Sequence, residues 1–355
     1  MTLRRKTRQG ARAAACVAAG LLAGPAGAQA AAQQLVHADE WQAYAGAFVT
    51  PEGRITDDAN GGISHSEGQG YGLLLAYLAG AEADFDRIWH FTLAEMKIRD
   101  DGLVAWKWDP AATPHITDVN NASDGDILIA YALALAGKDW KKPEYTAAAA
   151  DLTAAIGAAV LIPDPHGLLL LPGATGFAEG ERDDAPVVNP SYWIFEAMPV
   201  LARLDPAHDW AAVAATGAAL ISEIRFGTRA LPPDWLSLAG EPEPAAGFPP
   251  DFGYNALRIP LYLVRAGNVD PAMLARFREG MTAGDGIAIV NLATDEVTGA
   301  LDDPGYRAIP ALLACLLGEG PLPEELTTFT TSHYYPSTLH LLVLSHARKE
   351  LPQCL

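Results

Sequence analysis

Residues 64–79 read Ser64-His65-Ser66-Glu67-Gly68-Gln69-Gly70-Tyr71-Gly72, then Leu73-Leu74-Leu75-Ala76-Tyr77-Leu78-Ala79. A polar, glycine-bearing loop gives way there to an apolar helix, placed at about Ser66 to Ala79. A carboxylate at such a junction ordinarily caps the helix or answers its dipole. The glycines around Glu67 shift that reading, because glycine weakens a helix and lets a ligand come close to the backbone. The pattern recurs at Asn120-Asn121-Ala122-Ser123-Asp124-Gly125-Asp126, ahead of a helix through Ile127, Ile129, Tyr131 and Leu133. A cap with acidic first-turn residues does not by itself account for two acids together with two Asn. A calcium loop would need a twelve-residue pattern ending in Glu, which is missing here.

Working outward, apolar residues recur at helical spacing along the chain. Phe85, Ile88, Trp89, Leu93 and Met96 mark one face of a helix from about Asp84 to Ile98. Further helices are expected at about Asp124–Ala136, Tyr145–Val160, Ser191–Leu204, Asp209–Ile224 and Asn255–Ala266. Three more follow at Pro271–Gly280, Tyr306–Leu317 and Ser337–His346. Short strands or hairpins are expected at 167–172 and 287–297, and the Pro-rich segment Glu241 to Pro250 reads as a surface loop. Roughly ten to twelve helices with little sheet leave two architectures: an irregular α bundle, or a closed toroid of helical hairpins. Polar clusters in the loops at helix starts favour the toroid, whose loops gather at one end.

The 355 residues carry a formal charge of −19, with half of them hydrophobic. The first 30 distort this balance. Arg4, Arg5, Lys6, Arg8 and Arg12 precede an Ala-rich apolar run from Ala13 to Ala26, and Ala28-Gln29-Ala30 offers small residues for a signal peptidase. We expect a cleaved secretory signal at 1–30 and one domain at 31–355. Cleavage removes five of the 24 basic residues and none of the 43 acidic ones, which moves the charge from −19 to −24. Such a surface repels nucleic acid and anionic lipid. No later stretch reaches membrane length, so no span is expected after cleavage. Cys315 and Cys354 show no metal-site spacing. They read as a core thiol and a tail thiol, with a single disulfide as the alternative in an oxidising compartment.

Aromatic residues outside the helical stripes include Trp106, Trp108, Tyr192, Trp193, Trp235, Tyr254, Tyr334 and Tyr335. Loop aromatics near carboxylates suggest a sugar cleft, where flat rings stack on pyranose faces. Ser66-Glu67-Gly68-Gln69-Gly70-Tyr71-Gly72 and Ala122-Ser123-Asp124-Gly125-Asp126-Ile127 resemble glycoside hydrolase family 8. Asn189-Pro190-Ser191-Tyr192 and Gly253-Tyr254-Asn255-Ala256-Leu257-Arg258 look like two further family segments in the expected order. The resemblance spans about Glu40 to His346. It implies an all-α (α/α)6 toroid and a secreted or periplasmic endo-β-1,4-glucanase (a cellulase) that needs neither cofactor nor metal. It also implies a β-1,4-linked polysaccharide as substrate and a cellulose or exopolysaccharide synthesis complex as partner. Chitosanases and xylan-type hydrolases are rivals on the same scaffold.

Inversion needs a protonated carboxyl on one side of the sugar and a base for water on the other, about 6.5–9.5 Å apart. By resemblance Glu67 is the general acid, which calls for a raised pKa, and Asp124 binds and helps distort the sugar. Tyr192, Tyr254, Arg258 and Trp106 line the subsites by the same resemblance. The family base is an Asp after the tyrosine equivalent to Tyr254, but this chain has Asn255, a neutral amide. Three explanations stand: a substitute carboxylate (Asp251, Asp118 or Glu181), water positioned by Asn255, or a protein that binds polysaccharide more than it cuts.

Overall fold

Proline and glycine set the helix boundaries in this chain, and the boundaries decide which side chains reach the centre. The computed structural model describes residues 1–2 and 34–355, so the signal segment expected at 1–30 lies outside the described residues. Eleven α-helices occur among the described residues. They are α1 (Ala38–Phe48), α2 (Ser66–Ala79), α3 (Glu82–Phe91), α4 (Ser123–Asp139), α5 (Pro143–Val160) and α6 (Met198–Leu204). The remainder are α7 (Trp210–Glu223), α8 (Ile259–Arg265), α9 (Pro271–Met281), α10 (Pro304–Leu316) and α11 (Tyr334–Glu350).

Most residues of α2, α4, α8 and α11 are buried, whereas α3, α5, α7 and α9 bury one face. That difference separates an inner ring from an outer one. Around the ring α2 packs on α4, α4 on α6, α8 on α10, α10 on α11, and α11 closes onto α2. Between α6 and α8 the contact runs through two 3₁₀ turns, Pro190–Tyr192 and Ala256–Arg258. This is the (α/α)6 toroid.

Two inner helices are shorter than their periodicity suggests. The helix expected from Ser191 begins at Met198, and the one expected from Asn255 begins at Ile259. Each has a proline, Pro199 or Pro260, in its first turn. Proline is tolerated there because that N–H has no helical partner. The residues ahead of each start form 3₁₀ turns and loop, from which Tyr192, Asn255 and Arg258 reach the cavity. In the segment expected as one helix from Asp84 to Ile98, α3 ends at Phe91 and a π-helical turn follows, Thr92–Met96. Helix α1 carries no strong sequence signal and joins the core through Trp41, Tyr44 and Phe48. The two expected hairpins are present, at Leu161–Asp164 with Gly167–Leu170 and at Gly286–Asn291 with Glu296–Leu301.

Cys315 and Cys354 form a disulfide, with Cα atoms 5.8 Å apart, which corrects the reading of two free thiols. The pattern missed it because Cys354 is fully buried at the very end of the chain, where tails usually fray. The backbone carbonyl of Cys354 also accepts from Leu322 N–H at 2.8 Å. The bond closes a loop of 39 residues, so Cys354→Ser should cost about 4 kcal/mol. Urea denaturation of oxidised protein and variant checks this, and equal midpoints would show the link to be energetically idle.

Candidate active site

The α2 N-terminus is capped by His65, whose Nδ1 accepts from Gly68 N–H at 3.0 Å, while Nε2 faces Asp57 at 3.4 Å. Glu67 lies in the first turn that follows. Helix α4 places Asp124 at the matching position of its own first turn. Gly125 makes the pairing of the two starts close. A Cβ there would stand 2.1 Å from Ser66 Oγ and 2.6 Å from Glu67 N, and one at Gly70 would stand 2.4 Å from Leu128 Cβ. These glycines therefore serve helix-on-helix approach, where the sequence suggested approach of a ligand. The carboxyl groups of Glu67 and Asp124 come within hydrogen-bonding reach of each other.

Arg258, from the 3₁₀ turn Ala256–Arg258, closes the group. One guanidinium nitrogen donates to Glu67 and the other to Asp124 Oδ2 at 2.6 Å. The arginine is only 1 % exposed. It lines the cavity as expected, but its charge is spent on the two acids. Burial pushes Asp124 up to about 7, helped by the charge of Glu67 and opposed by Arg258. Burial acts on Glu67 the same way, but Arg258 and His65 outweigh it and hold Glu67 below its ordinary value. The expectation of a raised value on Glu67 is thus corrected: the raised group is its partner. Two carboxylates can hydrogen-bond only through a proton, so the pair titrates as a unit with one proton held toward neutral pH.

Asp126 behaves differently. Its oxygens accept from Val104 N–H and Asn121 Nδ2, both at 2.9 Å, deep in the fold. It ties α4 to the preceding loops.

The Glu67–Asp124 pair opens on a cavity of about 660 Å³, walled by Trp106, Tyr192, Tyr254, Asn255, Tyr334 and Tyr335 among others. The expected residues Trp106, Tyr192, Tyr254 and Arg258 are thus brought together with the two acids. Tyr254 is 55 % exposed at the rim, and Tyr335 Oη donates to its backbone carbonyl at 2.8 Å. The proposed substitute bases are not among the described residues that line the cavity. Asp251 is in a two-residue strand paired with Asn291. Asp118 accepts from Trp106 Nε1 at 2.8 Å, and Glu181 accepts three backbone N–H groups of its own loop. Among the described residues no group of three or more His, Cys, Asp or Glu side chains is arranged to hold a metal ion.

The family model described as glycosyl hydrolases family 8 matches residues 10–349. The chain belongs to this family. A probable endoglucanase of Novacetimonas hansenii is 35% identical over 312 residues, covering 86% of this chain and 89% of that protein. An endoglucanase of Cellulomonas uda is 36% identical over 295 residues, covering 81% of this chain and 80% of its own. Among solved structures, a family 8 endoglucanase of Klebsiella pneumoniae superposes with a TM-score of 0.78 at 34% identity. That match covers 87% of this chain and 99% of the other. The protein is therefore a glycoside hydrolase.

Against this family 8 background, several residues that shape the cavity carried no motif. Asp57, Asp303 and His333 line it from loops that are far apart in sequence. Asp234 was also missed. It lies in Pro232-Pro233-Asp234-Trp235, and its Oδ1 accepts from Gly253 N–H at 3.0 Å and Ala256 N–H at 2.7 Å. The one available signal was its position beside Trp235, whose ring meets that of Tyr192 edge-on at 6.1 Å.

Proposed function

We propose that the protein is a secreted endo-1,4-β-glucanase that cuts cellulose-like chains by inversion, with the Glu67–Asp124 pair supplying the proton to the leaving oxygen. The observation that carries this reading is the Glu67–Arg258–Asp124 cluster, with Arg258 and Asp124 buried and Glu67 partly open, facing an aromatic-walled cavity. Tyrosine and tryptophan rings stack on pyranose faces, while the buried acids supply charge that water would otherwise screen. Arg258 spans both acids, which keeps one of them ionised while the other holds the proton. Asp124 then binds the sugar at the cleavage point and passes the shared proton across to Glu67, which faces the leaving oxygen. The internal disulfide suits an oxidising compartment, in keeping with the signal read at 1–30. Export of a growing exopolysaccharide would supply such chains in the same compartment.

Reducing-end release from carboxymethyl cellulose, xylan and chitosan tests the assignment. Cellulose-type chains should give product, and no release from any of the three would sink the reading. Chitosan has one observation in its favour: Asp57, Glu67, Asp124 and Asp303 line the cavity, and Arg258 is the one arginine or lysine among its described lining residues. Product from chitosan alone would move the substrate there.

The shared proton sets the pH dependence. Asp124 is raised to about 7, so the pair is protonated below that value and loses its proton as pH rises through it. The rate should therefore fall above about pH 7, approaching tenfold per unit. Initial rates from pH 5 to 9 check this, and a flat profile across neutrality would remove the pair as donor.

A further inference from the structure

Asn255 lines the cavity at the position where family 8 resemblance expects the base, and an amide there has no useful basicity of its own. The carboxylate that touches it is Asp234. Asp234 Oδ1 accepts the N–H groups of Gly253 and Ala256, on either side of Asn255. The Asn255 side chain also lies close enough to Asp234 to favour its ionised form. A carboxylate only accepts, so an amide with its NH₂ toward Asp234 leaves Oδ1 for the cavity. Water in the cavity would then meet a carbonyl oxygen whose own nitrogen faces an anion.

We propose that Asp234 takes up the proton of the attacking water through the carboxamide of Asn255. As the water oxygen bonds to the anomeric carbon, its proton passes to Asn255 Oδ1, and one Nδ2 proton passes to Asp234. The glycosidic C–O bond breaks with its electron pair on the leaving oxygen, which receives a proton from the Glu67 side. Asn255 is left in its imidic form and Asp234 neutral. Return of the Asp234 proton to Nδ2 and release of the Oδ1 proton to solvent restore both. Asp234 does not touch the sugar and acts as a positioning residue behind Asn255. Burial also raises Asp234, against the pull of the amides that it accepts, which makes it a better proton acceptor. The inference rests on the hydrolytic reading above and names the groups that act on its water side.

Three variants test it with the purified protein on carboxymethyl cellulose and on a soluble cello-oligosaccharide. Asp234→Asn keeps an oxygen for Gly253 and Ala256 but cannot take a proton, so kcat should fall about 100-fold with little change in KM. Asn255→Asp added to Asp234→Asn should restore kcat, because a carboxylate at 255 takes the proton directly. A merely structural Asp234 would show no such rescue. Asp251→Asn should leave the rate unchanged. Asp234→Asn with more than half of wild-type kcat overturns the inference. So does a double variant that is folded by circular dichroism yet inactive. A loss in Asp251→Asn equal to that in Asp234→Asn would move the acceptor to that strand. A wild-type protein that releases nothing would instead sink the hydrolase reading itself.

Discussion

Glu67→Gln should lower turnover about 10³-fold while oligosaccharide binding stays within a few-fold of wild type. General acid catalysis by a positioned carboxyl contributes about 10²–10⁴ in rate, and an amide donates no proton to a leaving oxygen. The substitution keeps the shape of the side chain, and its carbonyl oxygen can still accept from Arg258. It also removes the like charge beside Asp124, so the fold should survive. Rates on a soluble cello-oligosaccharide, with titration calorimetry for binding, separate lost chemistry from lost affinity. A variant that keeps a tenth of wild-type kcat would take Glu67 out of the proton-transfer step. The remaining partner, Asp124, would then be the donor to test.

Arg258→Met should be the most destabilising single change at the site, costing about 3–5 kcal/mol at neutral pH. The arginine is 1 % exposed and is hydrogen-bonded to both acids. Taking it away leaves the buried Asp124 and the partly buried Glu67 with no counter-charge from that side, and the folded chain can avoid the penalty only by protonating them. Their folded-state values would then both lie above the unfolded ones. Protons are thus bound more tightly in the folded state, and stability is lost as pH rises above about 4.5. The deficit relative to wild type should therefore be smallest near pH 4 and largest above neutrality. Urea titrations at pH 4.5 and 7.5 read this directly. An equal deficit at both values would mean that lost packing, rather than unpaired charge, carries the cost.

Much of the site could be read locally. Glu67 and Asp124 each sit in the first turn of an apolar helix, next to glycines, and that arrangement is visible in fifteen or so letters at each place. Helical periodicity gave most of the helices but left bundle and toroid both open; the polar clusters at helix starts and the family 8 resemblance favoured the ring. The two hairpins were legible, since a short apolar run bounded by turn residues has few alternatives. Periodicity was least reliable at Ser191 and Asn255. Apolar residues continue past the true helix start there, and first-turn prolines delay it to Met198 and Ile259.

What the local pattern could not carry was pairing across long stretches of chain. Arg258 is 191 residues from Glu67 and 134 from Asp124, so its role as a bridge between them follows only from closing the ring. That bridge, with His65, holds Glu67 below its ordinary value, while burial and the charge of Glu67 raise Asp124. Asp234 lies 22 residues before Ala256 and meets Asn255 only where the two loops fold against one another. Cys354 pairs with Cys315 because the last turn of chain is buried against α10. In each case residue type was plain from the start, and the partner was not. Helix formation depends on neighbours a few positions apart, whereas a buried ion pair or a proton path depends on which distant loops are brought within 3 Å.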